Sequence, residues 1–180
     1  MTPFIYYVKL GYFHVIPSGP DHMLFMLSLF FQDSKVKKLI FKSLLFSVAH
    51  SLSLFLAVFF QLGTSYFIEP LIALSILFSS LGILFKLTYA RLDIFFILVF
   101  GVIHGLGFAN AFIEFGDGSL MASIPSFNLG VEFAQISILS ACYVLFEFGL
   151  SRFSFYKRYI VYPILSVISC VAIYWFWIRI

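Results

Sequence analysis

Residues 9–31 of the chain read KLGYFHVIPSGPDHMLFMLSLFF, a stretch that is long and apolar enough to cross a lipid bilayer. Its middle departs from an ordinary spanning helix, because Pro17, Gly19 and Pro20 follow one another closely. A proline lacks the backbone N–H that an α-helix needs, so we expect the helix to be broken there. Irregular backbone at membrane depth is tolerated only where it is buried in protein or lines a cavity. The stretch therefore predicts a membrane bundle whose first helix is broken.

The composition of the whole chain agrees with a lipid environment. The 180 residues are 62% hydrophobic and 11% charged, whereas soluble domains are about 45–50% apolar and about 25% charged. A soluble fold of this size leaves too much surface exposed to hide so many apolar side chains. Cys142 and Cys170 both lie within apolar stretches, so they do not indicate a disulfide framework. The composition indicates an all-α, polytopic membrane protein.

Six stretches are candidates for membrane spans, and the links between them are short. The longest link, residues 114–126, is rich in turn-forming residues. We therefore expect residues 1–180 to form a single transmembrane domain, a compact bundle of six helices. The N-terminus lacks the basic region and cleavage motif of a signal peptide, so we expect it to belong to the mature protein. The predicted spans are approximately residues 9–31, 39–61, 66–85, 93–113, 128–150 and 159–178.

Positive charge alternates between the loops. Lysines and arginines cluster at residues 35–42, 86–91 and 152–158, whereas residues 62–65 and 114–127 contain neither. Loops rich in Lys and Arg stay on the cytoplasmic side of a membrane. The pattern therefore predicts that these three basic loops are cytoplasmic and that both termini are outside.

Six ionisable residues lie inside the predicted spans and away from their ends, where such groups are costly and normally face the bundle interior. Imidazoles and carboxylates together form a ligand set suited to Zn²⁺, Ni²⁺, Co²⁺ or Mn²⁺. The alternative is a set of histidine–carboxylate hydrogen bonds that hold the helices together. The candidate metal ligands are His14, Asp21, His22, His50, His104 and Glu132.

Neutral polar residues accompany these candidates. Asn128, Glu132 and Gln135 are spaced i, i+4 and i+7, so they share one helix face, and the two amides could orient a ligand or a water. Ser51 lies beside the second-span histidine, although serines in helices more often bond to their own backbone. The small-xxx-small spacing of Gly101 and Gly105 favours close helix packing, either within the bundle or in a dimer.

Five blocks of the sequence resemble the HupE/UreJ family of bacterial integral membrane proteins. In chain order they read GYFHVIPSGPDHMLFMLSL, FSVAHSLSL, PLIALSILF, GVIHGLGFA and FNLGVEFAQ. The resemblance implies a nickel or cobalt permease of the bacterial inner membrane, associated with hydrogenase or urease maturation. It also implies that His14, Asp21 and His22 form the first metal motif, with His50, His104 and Glu132 completing the pathway. Six residues separate His14 from Asp21, where the better-described permeases have five, and this spacing resembles the second branch of the family.

Three functions are compatible with these residues. The leading hypothesis is a permease for a divalent cation such as nickel, cobalt or zinc. The alternative is an intramembrane zinc-dependent hydrolase of a lipid or peptide, with Glu132 as general base. The polar residues cluster in the outer half of the membrane and few lie in its inner half, which mildly favours such a fixed site.

A third function is a structural subunit whose cluster only joins helices. The expected partners are lipid and a metal ion, not nucleic acid, and a homo-oligomer is left open.

Overall fold

The computed structural model describes residues 2–33, 35–62, 66–87, 90–115 and 120–180, and within these ranges the chain is helical with no strand. A π-helical segment, Tyr143–Leu150, continues α6, and a second, Lys157–Val161, leads into α7. The α-helices are α1 (Pro3–Val15), α2 (Pro20–Gln32), α3 (Val36–Phe59), α4 (Ile68–Leu84), α5 (Ala90–Phe115), α6 (Leu120–Cys142) and α7 (Tyr162–Arg179).

Four stretches are long and apolar enough to cross a membrane, in agreement with the all-helical membrane class expected from composition. They are Val36–Phe59, Asp93–Glu114, Ser123–Leu150 and Lys157–Arg179, and Ile68–Leu84 is a shorter apolar helix. Large apolar side chains point outward from several of these helices: Val48 is 63% exposed, Phe78 60% and Phe148 71%. Outward-facing side chains of this kind suit a surface covered by lipid.

The break at the prolines of the first predicted span is present. Helix α1 ends at Val15, α2 begins at Pro20, and the Ile16–Pro17 peptide bond between them is cis. The N–H of Gly19 donates to the carbonyl oxygen of Val15 at 3.3 Å. Only glycine fits at this position, because a β-carbon there would overlap the carbonyl oxygen of His14. The turn thus brings the end of α1 directly against the start of α2.

The longest predicted link is shorter than expected. Helix α5 extends to Phe115 and α6 already begins at Leu120, so much of residues 114–126, predicted as a loop, is helical. Pro125 lies inside α6, in its second turn, and therefore removes one backbone hydrogen bond of the helix. Turn-forming residues at a helix start therefore resembled a loop in the sequence.

Polar contacts define two opposite ends of the bundle. At one, here called the basic end, Lys42 donates to the Gln32 side chain at 2.8 Å and lies 3.8 Å from Asp93, which joins α2, α3 and α5. At the other, called the Arg179 end, Arg179 lies 3.5 Å from Glu69 and joins α4 to α7. Helix α2 is central, since it packs against α1, α3, α4, α6 and α7.

Two apolar clusters fill the bundle. One includes Phe25, Phe46 and Phe100, and the other includes Leu54 and Phe112. Along α3, His50 therefore lies between Phe46 of one cluster and Leu54 of the other. The same holds in α5 for His104, which lies between Phe100 and Phe112. The histidines occupy the layer where the two apolar clusters meet.

Glycines allow two pairs of helices to approach closely. A β-carbon on Gly130 of α6 would overlap the backbone of α1, and one on Gly105 of α5 would overlap the Ser53 hydroxyl and the His50 carbonyl oxygen. Gly101 packs on α3 in the same way, because its β-carbon would lie 2.6 Å from the Phe46 carbonyl oxygen. The small-xxx-small pair of α5 is thus used within the bundle, against α3.

Candidate metal centre

Four histidines from four helices meet in the layer between the two apolar clusters. The ring centroids of His14 and His22 lie 4.9 Å apart, as do those of His22 and His104. His50 lies 5.5 Å from His22 and 6.2 Å from His14, centroid to centroid. One ring nitrogen from each of His14, His22 and His50 lies within 4.8 Å of the other two. These three are called the histidine triad below, and His104 adjoins it through His22.

Five ring nitrogens of this cluster are buried without a hydrogen-bond partner among the described residues. His22, His50 and His104 are buried and His14 is half-buried. Within the part of the chain that the structure describes, Nε2 of all four rings and Nδ1 of His50 have no hydrogen-bond partner. Leaving a buried polar atom unsatisfied costs about 1–3 kcal/mol, so such atoms are uncommon and call for a ligand or water. A cation bound by the lone pairs of the triad would remove that cost.

The triad fits a transition-metal ion in type and spacing. Neutral imidazole is a common ligand of Zn²⁺, Ni²⁺ and Co²⁺. Nitrogens around one tetrahedral ion stand about 3.3 Å apart, given metal–nitrogen bonds of about 2.0–2.1 Å. The triad, with its nitrogens within 4.8 Å of one another, therefore needs small side-chain movements to close on an ion.

A backbone hydrogen bond orients His104. Its Nδ1 lies 2.8 Å from the carbonyl oxygen of Phe100, and since a carbonyl can only accept, Nδ1 carries the proton. The lone pair of the neutral ring is then on Nε2, the unpartnered nitrogen. A second ring nitrogen bonded to a backbone carbonyl is the usual way in which proteins orient a metal-binding histidine. His104 is therefore prepared to accept a proton or a cation at Nε2.

Aromatic rings form the walls of the site. Phe46 lies 5.8 Å from His22 and 5.2 Å from His104, and Phe108 lies 3.7 Å from His14, centroid to centroid. An apolar wall limits access of water and lowers the local dielectric constant, which strengthens the interaction between an ion and its ligands.

The two predicted carboxylate ligands lie elsewhere in this structure. Asp21 accepts two hydrogen bonds from the Arg179 guanidinium, at 3.2 and 3.3 Å. Glu132 borders a groove of about 510 Å³ between α3 and α6, together with Ser43 and Ile136. Neither carboxylate is brought into the triad, and their ligation of an ion stays a prediction. Glu132 borders the groove because, on this part of α6, the neighbouring Val131 is the residue that faces the bundle interior.

The predicted neutral neighbours are only partly at the site. Gln135 is buried, and its Oε1 accepts hydrogen bonds from Ser43 at 2.7 Å and Ser47 at 3.1 Å, while its Nε2 has no partner among the described residues. Asn128 is half-buried with Oδ1 unpartnered within the same ranges. Ser51 is half-buried.

Sequence reasoning missed three residues of this region. Ser43 and Ser47 lie on the same face of α3 as His50, with spacing i, i+4 and i+7, and this periodicity was a usable signal. Arg179 gave no comparable signal, because its partner Asp21 is 158 residues away in the chain.

Comparison with known proteins agrees with the resemblance found in the motifs. A family model described as "HupE / UreJ protein" matches residues 1–179. No curated protein and no solved structure matches the chain.

Proposed function

The chain belongs to the HupE/UreJ family, and from this premise we propose that it is a membrane permease for a divalent transition-metal cation. The observation that supports the proposal most directly is the triad of His14, His22 and His50, whose ring nitrogens converge and whose Nε2 atoms are buried with no partner within the described residues. We take nickel or cobalt as the cargo because the family is associated with their transport. Zinc is the third candidate, since imidazole binds all three ions.

A cavity between the histidines and the basic end supports transport rather than a closed metal centre. A cavity of about 340 Å³ lies between α2, α4 and α5, and Gln32 and Asp93 of the basic end line it. Phe25 also lines this cavity, and its ring lies 5.7 Å from that of His104. Phe25 therefore lies between the cavity and the histidines. The half of the bundle nearer the basic end has few polar residues in the sequence, but this cavity gives it space for a hydrated ion.

The two alternatives have less support. A hydrolase would need Glu132 beside the metal, but that side chain borders the α3–α6 groove. A structural role would need hydrogen bonds between histidines and carboxylates, yet the ring Nε2 atoms are unpartnered within the described residues. We therefore retain the permease.

Metal flux tests this proposal. The full chain, reconstituted in liposomes that contain a metal-sensitive dye, should admit Ni²⁺ or Co²⁺, and His50→Ala should reduce the initial rate at least about tenfold, since intramembrane ionisable groups mark ion pathways. Ser166→Ala is the matched control, because the exposed Ser166 hydroxyl donates only to the Tyr162 carbonyl of its own helix. Stoichiometric metal that survives chelator, without any flux, would contradict a permease and favour a fixed metal centre.

We also propose the orientation and location that the charges predict. The six spans would consist of α1 and α2 together, α3, α4, α5, α6 and α7, with the basic end facing the cytoplasm in a bacterial inner membrane. Lys38→Cys and Tyr66→Cys, each in a Cys142→Ala/Cys170→Ala background, test the orientation, because Tyr66 is exposed and so is the Lys38 side chain. A membrane-impermeant maleimide should label position 66 in intact cells and position 38 only after permeabilisation. The reverse pattern would overturn the orientation.

A further inference from the structure

Arg179 of α7 joins three helices beside the candidate metal centre. Its Nη1 and Nη2 donate to the two carboxylate oxygens of Asp21 at 3.2 and 3.3 Å, and Nη1 also lies 3.5 Å from Glu69 Oε2. The guanidinium carbon lies 5.0 Å from the ring centroid of Trp175. The side chains of Arg179 and Asp21 are only 21% and 18% exposed, whereas that of Glu69 is 54% exposed. The Arg179 guanidinium thus lies between two carboxylates, of which Asp21 is half-buried and Glu69 is exposed.

The pairing controls the charge next to the triad. Asp21 directly precedes His22 in the first turn of α2, so its carboxylate is the nearest acidic group along the chain to the histidines. A bidentate arginine–carboxylate pair is strong and orders both partners. While it lasts, the Arg179 charge compensates that of Asp21 and both carboxylate oxygens are occupied, so Asp21 offers little attraction to a cation at the triad. The triad alone then presents three neutral ligands.

We propose that Arg179 acts as a switch: it leaves Asp21 for Glu69 when a divalent cation enters the histidine triad, and the released Asp21 carboxylate then binds the ion. This inference rests on the proposed function and adds a positioning residue to it. Glu69 suits the second position because it already lies within 3.5 Å of Nη1, so the guanidinium changes partner without a movement of the backbone. The ion gains one negative ligand, and the arginine keeps a carboxylate partner in both states.

Opposite effects of neighbouring substitutions test the switch. Ni²⁺ titration of the purified full chain in detergent should show that Arg179→Gln lowers the Kd about tenfold, because Asp21 becomes free without competition. Asp21→Asn should raise the Kd, and the double variant should show no gain from Arg179→Gln. Glu69→Gln should also raise the Kd, because Arg179 then has no second carboxylate to move to. A merely structural ion pair would make Arg179→Gln and Asp21→Asn weaken binding alike, and this result would overturn the proposal.

Tryptophan fluorescence gives a second, independent readout. The chain has two tryptophans, so Trp177→Phe leaves Trp175, which stacks with Arg179, as the single reporter. Ni²⁺ should change the emission of this variant, and the change should disappear in Arg179→Gln. Arg179→Lys retains the charge but cannot form the bidentate pair, so its Kd should lie between those of the parent and Arg179→Gln.

The two levels of the proposal fail in different ways. If His22→Ala binds Ni²⁺ as well as the parent, the histidine site itself is wrong. If His22→Ala loses binding while Arg179→Gln leaves both the Kd and the Trp175 emission change unaltered, the metal site stands and the switch is wrong.

Discussion

His22→Ala is expected to raise the Kd for Ni²⁺ at least about a hundredfold, because even residues that only orient metal ligands are worth about 10–100-fold in affinity. His22 is the common neighbour of the cluster, with ring centroids 4.9 Å from His14 and His104 and 5.5 Å from His50. Its loss removes one ligand of the triad and the ring that lies against His104. Isothermal titration of the detergent-purified protein measures the Kd directly.

The stability of the same variant distinguishes a lost ligand from a damaged fold. A ligand present at a hundred times its Kd stabilises the folded state by about 2.7 kcal/mol, so Ni²⁺ should raise the melting temperature of the parent but not of His22→Ala. Without metal the two should melt close together, because the substitution also removes a buried Nε2 atom that has no partner among the described residues. Ser28→Ala is the matched control, since Ser28 is buried in the same helix and donates to the Leu24 carbonyl at 3.0 Å. Unchanged Ni²⁺ affinity in a folded His22→Ala would contradict the prediction.

Gly105→Ala is expected to destabilise the protein and to weaken Ni²⁺ binding at the candidate metal centre together. The new β-carbon would overlap the Ser53 hydroxyl and the His50 carbonyl oxygen, so α3 and α5 must move apart. Overpacking of this kind costs about 1–3 kcal/mol. Because α3 carries His50 and α5 carries His104, the same movement changes the geometry of the cluster. Thermal unfolding followed by circular dichroism and a Ni²⁺ titration measure the two effects.

Gly82→Ala provides the comparison for this substitution. It lies in a helix of the same bundle, but a β-carbon there would have no atom within 4 Å among the described residues. Alanine in a helix is favoured over glycine by about 1 kcal/mol, so this variant should be more stable than the parent and bind Ni²⁺ equally well. Equal melting temperatures for Gly105→Ala and Gly82→Ala would show that α3 and α5 are not closely packed at Gly105.

The histidine cluster and the broken helix explain each other. Leaving the helical conformation between Val15 and Pro20 places His14 at the end of one helix and His22 at the start of the next. In a continuous helix these residues would lie eight positions, about 12 Å, apart along the axis. The observed ring separation of 4.9 Å is therefore a product of the break, and the turn at Pro17 and Gly19 is part of how the site is built.

The sequence by itself determined the class of the protein, the position of the helix break and the histidines of the candidate metal centre. Each of these depends on local chemistry: the apolar fraction of the chain, the missing N–H of Pro17 and Pro20, and the cost of imidazoles such as His50 and His104 inside a span. The family could be identified for the same reason, because its motifs are short and continuous in the chain.

Only the tertiary structure decided which polar groups meet. Periodicity shows that Glu132 and Gln135 share a broad helix face, but a difference of a few tens of degrees sends Glu132 into the α3–α6 groove and Gln135 to Ser43. From the sequence, Asp21 could pair with the histidines or with Arg179. The packing of α7 decides between them, because it places Arg179 Nη1 3.2 Å from Asp21 Oδ1. Contacts between residues far apart in the chain depend on how whole helices pack, whereas periodicity within one helix shows only which residues share a face.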